Sequence, residues 1–381
     1  MVRTLGREGL RVAAAASGQH CSGLATRYAS TRLHLPDPRQ DLPAYADAIV
    51  RWLDAHPTDA VLTSTDAGLE TLHQYRIPLG EVTRPAVAAP EAVDIAACKA
   101  TTLAVAAELG IPGPRSIPAT TPDEVLEAIA ALGLPAVLKP TSSWRDAPDG
   151  GGERLSPVLV ETPEQARCAA AHLVRADSPA LVQEYATGGR ETHKLFVAQG
   201  AVLVHLVMRP ERCWPPLGGS STMRRTIDPP ERTTAWAREL VLRIGLEGYS
   251  EVEFRRTLAG EPLLMEVNAR LSQSLELAQR AGVDLARMQL EWARGGDIPV
   301  PQRVRAARVG WLGGDLRVAA GALKGTPPPR PPRAAIRAVG GDYLLGRAHV
   351  EGLALDDLRP IVGAVGFHLR NGVAHLRRNH A

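Results

Sequence analysis

Residues 249–270 read YSEVEFRRTLAGEPLLMEVNAR, two strand-like runs joined by the turn TLAGE. The second run opens apolar with Leu263, Leu264, Met265 and Val267, while Glu266, Asn268 and Arg270 fall on every second position. Side chains alternate across a strand, so these three share one face. The short turn makes the two runs antiparallel partners. Glu253, thirteen residues before Glu266, then falls across from, or one step away from, Glu266 and Asn268. A polar strand face by itself also suits solvent, but the apolar run leading into it and the matched Glu253 favour a built site. Two carboxylates and an amide oxygen form a hard oxygen site, which Mg2+ takes when it also keeps waters and phosphate oxygens. Arg270, one step further, can grip a phosphate oxygen in bidentate fashion.

The rest of the chain divides into three blocks. Residues 1–90 read as a small α/β unit: a helix VRTLGREG stopped by Gly9, a strand LRVAAAA, a helix over 41–55, a strand DAVLTST and a helix over 66–75. This alternation predicts parallel pairing. A unit of this type normally opens with its own strand and a glycine turn, so the expectation is either that the start codon is misplaced or that the first strand has been lost. In residues 91–300, Asp94 caps a helix running to Glu108 and Leu109, ended by Gly110 and IPGP. TPDE (Thr121 to Glu124) and TPEQ (Thr162 to Gln165) are capping boxes with Pro at the first helical position. Between those helices lie the strand PAVLKP and a loop with Gly150, Gly151 and Gly152. After them come the strand ALVQEY, a hairpin KLFVAQGAVLVHLVMR turning at Gln199–Gly200, and a helix over 229–244. Residues 301–381 are set off by the stiff connector GTPPPRPPR and hold a helix or two, ending in a frayed HLRRNHA.

A chain of 381 residues suits two or three packed units. Net charge is +3 and the basic residues are scattered, which argues against a nucleic-acid partner. Of 44 basic residues only Lys99, Lys139, Lys194 and Lys324 are lysine, so a position that keeps Lys carries extra weight. Cys21, Cys98, Cys168 and Cys213 lie far apart without metal-ligand spacing, as inert thiols in a reducing cytoplasm do. The opening MVRTLGREGLRVAAAASG carries charges inside its apolar run and does not read as a secretion signal. No apolar run reaches the roughly 18 residues of a membrane span. The expectation is a cytoplasmic protein with no membrane partner.

The motifs of residues 91–300, in their order, resemble the ATP-grasp fold. The resemblance implies an α/β protein with an α+β ATP-grasp core in three parts. These are a truncated pre-ATP-grasp Rossmann-like unit (1–90), a two-lobed ATP-grasp domain (91–300) with its lid subdomain at about 115–185, and a mostly helical extension (301–381). It further implies that Lys99 and Lys139 contact phosphates and that the glycine loop 141–154 is the flexible lid, with Arg154 standing where relatives often carry a second lid lysine. In VQEYATGGRE, the motif Gln183–Glu184–Tyr185–Ala186 would be the adenine hinge: Glu184 would accept from the amino group, and the backbone of Tyr185 and Ala186 would pair with the ring edge. Glu191 would bind the ribose. Glu253, Glu266 and Asn268 match the ligands of two magnesium ions, for which Mn2+ can substitute, and Arg270 matches the basic residue beside them. VRTLGREGLRV, RYAST and LSQSLELAQRAGVDL extend the resemblance to carbamoyl-phosphate-synthase-like proteins and to the predicted carboxylate–amine ligases, among which dimers are common.

Such a site suits a carboxylate attacking the γ-phosphate of ATP, giving ADP and an acyl phosphate that an amine then attacks. The substrates expected are a small carboxylic acid or amino acid and an amine. The polar segment 208–226 reads as the loop that meets substrate, with Arg209, Arg224 and Arg225 as candidate clamps, and Arg225 is taken with Arg270 as catalytic. His193, His205, Cys213 and Trp214 read as structural. Two other readings are an enzyme forming carbamoyl or carboxy phosphate, and a non-catalytic nucleotide-binding regulator. No G-x-G-x-x-G follows a strand, which argues against a nicotinamide enzyme.

Overall fold

Two sheets face each other across the middle of the chain. The computed structural model describes residues 1–18, 21–142, 144–146, 152–174, 179–216, 219–323 and 332–362. The smaller sheet has four antiparallel strands in the order Ser116–Ala119, Ala180–Glu184, Ala136–Pro140 and Val158–Val160. Helices Pro122–Leu132 and Pro163–Leu173 cover one face, closing a core that includes Val125, Leu138, Val160, Ala166 and Val182. Both helices start as the capping boxes require. Thr121 accepts the Glu124 N–H at 3.2 Å and Thr162 accepts the Gln165 N–H at 3.3 Å. In return, Glu124 and Gln165 accept from the residues just before the caps, Thr120 and Glu161, each at 2.7 Å.

The larger sheet runs Pro262–Asn268, Gly248–Arg256, Arg190–Ala198, Ala201–Trp214, Ser220–Ile227, Arg308–Gly310 and His349–Val350. All neighbours are antiparallel except the last pair. The hairpin turns at Gln199 (φ 53°) and Gly200 (φ 70°), the left-handed pair that a two-residue loop demands. The carboxylate of Glu247 accepts both their N–H groups, at 3.1 and 2.9 Å, which supports a non-glycine residue in that conformation. Helix Glu231–Ile244 covers one face through Ala237, Leu240 and Val241, and helices Leu275–Arg280 and Leu285–Arg294 cover part of the other.

Two expectations need correction. The helix read from Asp94 is two helices, Pro90–Ala97 and Lys99–Glu108, separated by Cys98 in an extended conformation. Asp94 caps neither and instead lies 2.9 Å from His73 Nε2. The strand DAVLTST shrinks to one bridge between Val61 and Pro85, because Thr65 turns the chain by capping helix Asp66–Gln74. Ala13–Ala16 and Thr31–His34 do pair in parallel. The C-terminal block is mostly helical as expected, with helices Leu312–Leu323 and Pro332–Leu344, but it also adds two short strands to the larger sheet. Its strand Arg308–Gly310 closes the edge left by Ser220–Ile227, and His349–Val350 follows it. Most of the proline-rich connector, the glycines 150–151 and the basic tail lie outside the described residues.

Candidate active site

The register of the larger sheet puts Glu253 directly opposite Glu266, and Glu251 opposite Asn268. A bulge at Met265 lets Leu264 stay in the core opposite Phe254 while Glu266 remains opposite Glu253. On the next strand, Thr192 pairs with Glu253 and Lys194 with Glu251, so Arg190, Thr192 and Lys194 share this face. The two glutamate side chains keep 19% and 29% of their exposure, so neither is sealed in a core. Asn268 Nδ2 donates to Glu266 at 3.2 Å.

Cations ring the pair. Lys99, buried at the start of its helix, has Nζ 3.8 Å from Glu266 Oε2. Its backbone N–H is tied to Thr141 O at 2.9 Å, where the lysine-bearing strand of the smaller sheet ends. Lys139 reaches across from that strand to 3.8 Å from Met265 Sδ. Arg190 approaches Glu253 at 3.9 Å, and Arg270 is ion-paired to Asp66. Burial lifts the Glu253 carboxyl to about 7; Arg190 opposes this and Glu266 adds to it. Burial works the same way on Glu266, but Lys99 and Lys139 outweigh it and hold that carboxylate below its ordinary range. Burial also pulls the Lys139 ammonium down to about 8, with Glu266 pulling back. Two facing carboxylates, one of them pushed up by burial, are what a divalent cation would relieve. Among the described residues no cluster of three histidine, cysteine or acidic side chains forms a metal cage, so an ion here would complete its shell with water and phosphate oxygens.

On the smaller sheet, strand parity puts Gln183 and Glu184 on opposite faces. Lys139 pairs with Leu181 and Val137 with Gln183, which puts Gln183 on the face of Lys139. Gln183 is 1% exposed; its Nε2 donates to Ser116 Oγ at 2.9 Å, and its Oε1 is buried without a donor. That orphan acceptor suits an adenine amino group. Glu184 points to the other face and is held by Arg115, at 2.8 Å from Nε and 3.0 Å from the backbone N–H. The Arg255 guanidinium lies over the Tyr185 ring at 4.9 Å and donates to its hydroxyl at 3.1 Å, while Ala186 is buried. Gly188 is obligatory: a Cβ there would meet Arg256 O at 2.4 Å.

Glu191, Arg225 and Arg154 are not brought to this centre. Glu191 pairs with Phe254, one step from Glu253 and therefore on the opposite face. There it contacts Arg256 at 2.9 Å, Arg209 at 3.8 Å and His193 at 3.6 Å. Burial opposes ionisation of Glu191, but His193, Thr233 and Arg256 outweigh it and lower the carboxylate to about 2. Segment 208–226 is mostly β-hairpin, not a loop. Arg225 sits opposite Arg209 on the Glu191 side, exposed, and pairs with Glu211 at 3.1 Å. Arg224 is buried and paired with Glu351. The Arg154 backbone pairs with Trp144, and its side chain lies outside what the structure describes. Two features escaped the sequence reading. Lys194, fully buried, is ion-paired to Glu251 and bonded to Tyr249, Ser272 and Ser274; its rarity as a lysine was the available signal. Asp66, which holds Arg270, carried none.

The fold is that of ATP-grasp structures. Residues 181–314 match the family model described as "ATP-grasp in the biosynthetic pathway with Ter operon". The carbamoyl phosphate synthase large chain of Methanosarcina mazei is 24% identical over 308 residues, covering 74% of this chain and 27% of that one. The chain thus spans about a quarter of the length of this curated relative. Biotin carboxylase from Campylobacter jejuni, solved as a β,γ-ATP complex, shares the fold with a TM-score of 0.64 at 16% identity, over 81% of this chain and 71% of that one. An L-amino acid ligase from Bacillus licheniformis does so with a TM-score of 0.59 at 16% identity, over 81% and 75%. No described helix is long and apolar enough to cross a membrane.

Proposed function

We propose that this chain is an ATP-dependent ligase that activates a carboxylate as an acyl phosphate, releasing ADP, and passes the acyl group to an amine. The observation that carries the reading is the facing pair Glu253 and Glu266, with Asn268 beside them, enclosed by Lys99, Lys139 and Arg270 from three separate elements. The donor set is all hard oxygen and the orphaned Gln183 Oε1 suits adenine, so the residues present fit Mg2+ and ATP. Magnesium, when bound, supplies neutralisation of charge on the phosphates. Glu253, Glu266 and Asn268 would hold it.

The chain's own residues do the rest by position and charge. Lys99 and Lys139 hold phosphate oxygens in line. The substrate carboxylate attacks the γ-phosphorus, and the bond to the bridging oxygen breaks with its electron pair leaving on ADP. The amine then attacks the acyl carbon and loses a proton, and the C–O bond breaks to release phosphate. Arg270, beside Asn268, stabilises the oxyanion of the tetrahedral intermediate. The ribbon formed by Trp144–Asp146 and Gly152–Arg154 excludes water that would hydrolyse the acyl phosphate.

The test is ATP turnover with Mg2+ and hydroxylamine against pooled carboxylates and amino acids, with Glu266→Ala as control. ADP together with a hydroxamate, both lost in the variant, supports the reading, and AMP formation refutes it. The match to carbamoyl phosphate synthase favours one alternative, phosphorylation of bicarbonate. That reading predicts bicarbonate-dependent ADP release without a hydroxamate from any added acid.

A further inference from the structure

Lys194 is sealed from solvent, and its ammonium meets oxygens from two other parts of the chain. It is ion-paired to Glu251 and lies 3.1 Å from Tyr249 Oη, 2.9 Å from Ser272 Oγ and 2.6 Å from Ser274 Oγ. The two serine hydroxyls are 2.9 Å apart, and the Ser274 N–H donates to Ser272 Oγ at 3.3 Å. All five residues are buried. Sheet register sets this cluster beside the face of Glu253 and Glu266. Lys194, Glu251 and Asn268 form one cross-strand row, and Thr192, Glu253 and Glu266 form the next row on the same face. Ser272 and Ser274 come two and four positions after Arg270, between strand Pro262–Asn268 and helix Leu275–Arg280. That stretch, 269–274, is neither helix nor strand. Leu271 anchors it in the core, and the two serines tie it to Lys194.

Resting on the ligase reading above, we propose that Lys194 is a positioning residue for the ion-binding face. Through Ser272 and Ser274 it holds the stretch 269–274, so that Asn268 and Arg270 meet Mg2+ and phosphate in a fixed geometry. Stability alone is a poor reason for such a cluster. Burying two opposite charges is costly, and well-packed apolar residues in their place are often as stable or more so. An ammonium that bonds groups on a neighbouring strand and on an irregular stretch does what an apolar side chain cannot, because it fixes directions as well as filling space. Metal sites are sensitive to such support: removing a group that orients the ligands typically lowers metal affinity by about ten- to a hundredfold. Lys194 acts here by two routes, through the serines that follow Arg270 and through Glu251, which pairs with Asn268 across the sheet.

The experiment is calorimetric titration of the full chain with ADP, with and without Mg2+, on the wild type and two variants. Ser272→Ala with Ser274→Ala cuts the tethers and keeps both charges. Lys194→Met with Glu251→Gln removes the charge pair as a unit. In each variant the Kd for Mg·ADP is expected to rise about tenfold or more. The Kd for ADP without Mg2+ is expected to stay within about threefold of wild type, because Gln183 and Lys139 hold the nucleotide from the smaller sheet. Circular dichroism reports folding, and the serine variant, which leaves no charge unpaired, decides alone if the other does not fold. A cluster that only stabilises the fold would lower the unfolding midpoint and leave the Kd for Mg·ADP unchanged, which overturns the proposal. Equal weakening with and without Mg2+ marks general damage to the cleft and also overturns it. A wild type that binds ADP no better with Mg2+ than without overturns the ion-site reading on which the proposal rests.

Discussion

Replacing Lys194 with methionine removes a cation from a place where water cannot substitute for it. The ammonium is fully buried, bonded to Tyr249 Oη at 3.1 Å, Ser272 Oγ at 2.9 Å and Ser274 Oγ at 2.6 Å, and paired with Glu251, itself 5% exposed. Breaking a buried pair from one side costs about 3–5 kcal/mol, because the remaining charge has no partner. The three hydroxyls soften the loss, since each can donate to Glu251; Tyr249 Oη already does so at 2.8 Å. The expected cost is therefore at the lower end, about 3 kcal/mol, still a large share of the roughly 5–15 kcal/mol of a typical fold. Urea unfolding followed by circular dichroism measures it. Without Lys194, the Glu251 carboxyl in the folded state titrates above its unfolded value. The deficit is then complete at high pH and shrinks as pH falls through that raised value, so the variant is closer to wild type at pH 5.5 than at pH 8. Lys194→Met with Glu251→Gln leaves no charge unpaired and recovers at least half of the loss. A single variant within about 1 kcal/mol of wild type, or a double variant no more stable than the single, would refute this reasoning.

Burial lowers the Lys139 ammonium to about 8 in the free protein, so on the proposed contact of Lys139 with phosphate, nucleotide binding above that pH requires proton uptake. The Kd for Mg·ADP should be flat up to pH 8 and then rise towards tenfold per pH unit, and Lys139→Arg should flatten the curve; calorimetry across that range checks both. The parity of the hinge predicts that Gln183→Leu weakens ADP binding about tenfold, while Glu184→Ala, which frees Arg115 on the outer face, changes it much less. Equal effects would contradict the assignment. His205 is held neutral down to about 3 by burial, with His193 beside it at 2.9 Å adding to the effect. The unfolded chain therefore takes up this proton first as pH falls from 6.5, and the fold loses up to about 3 kcal/mol by pH 4. His205→Leu should unfold less steeply over that interval in an acid titration followed by fluorescence.

Local rules made much of this protein readable from its sequence. The capping boxes at Thr121 and Thr162 and the Gln199–Gly200 turn depend on neighbours a few residues away, and they appear where the residues called for them. The pairing of Glu253 with Glu266 follows from a short turn and the two-residue period of a strand. Tertiary structure decided the rest, because strand parity inverts with a shift of one residue. Whether Gln183 or Glu184 enters the cleft, and that Glu191 and Arg225 turn away from Glu253, depends on register against neighbouring strands and on bulges at Val202–Val204 and Pro210–Arg212. No local pattern announces such bulges. The strands Arg308–Gly310 and His349–Val350 are three and two residues long, too short to show any period, and they exist because a sheet edge was there to receive them. The contact of Asp66 with Arg270 lies furthest from the sequence. Neither residue signals the other across 204 positions, and only the packing of the N-terminal unit against the larger sheet brings the two charges together.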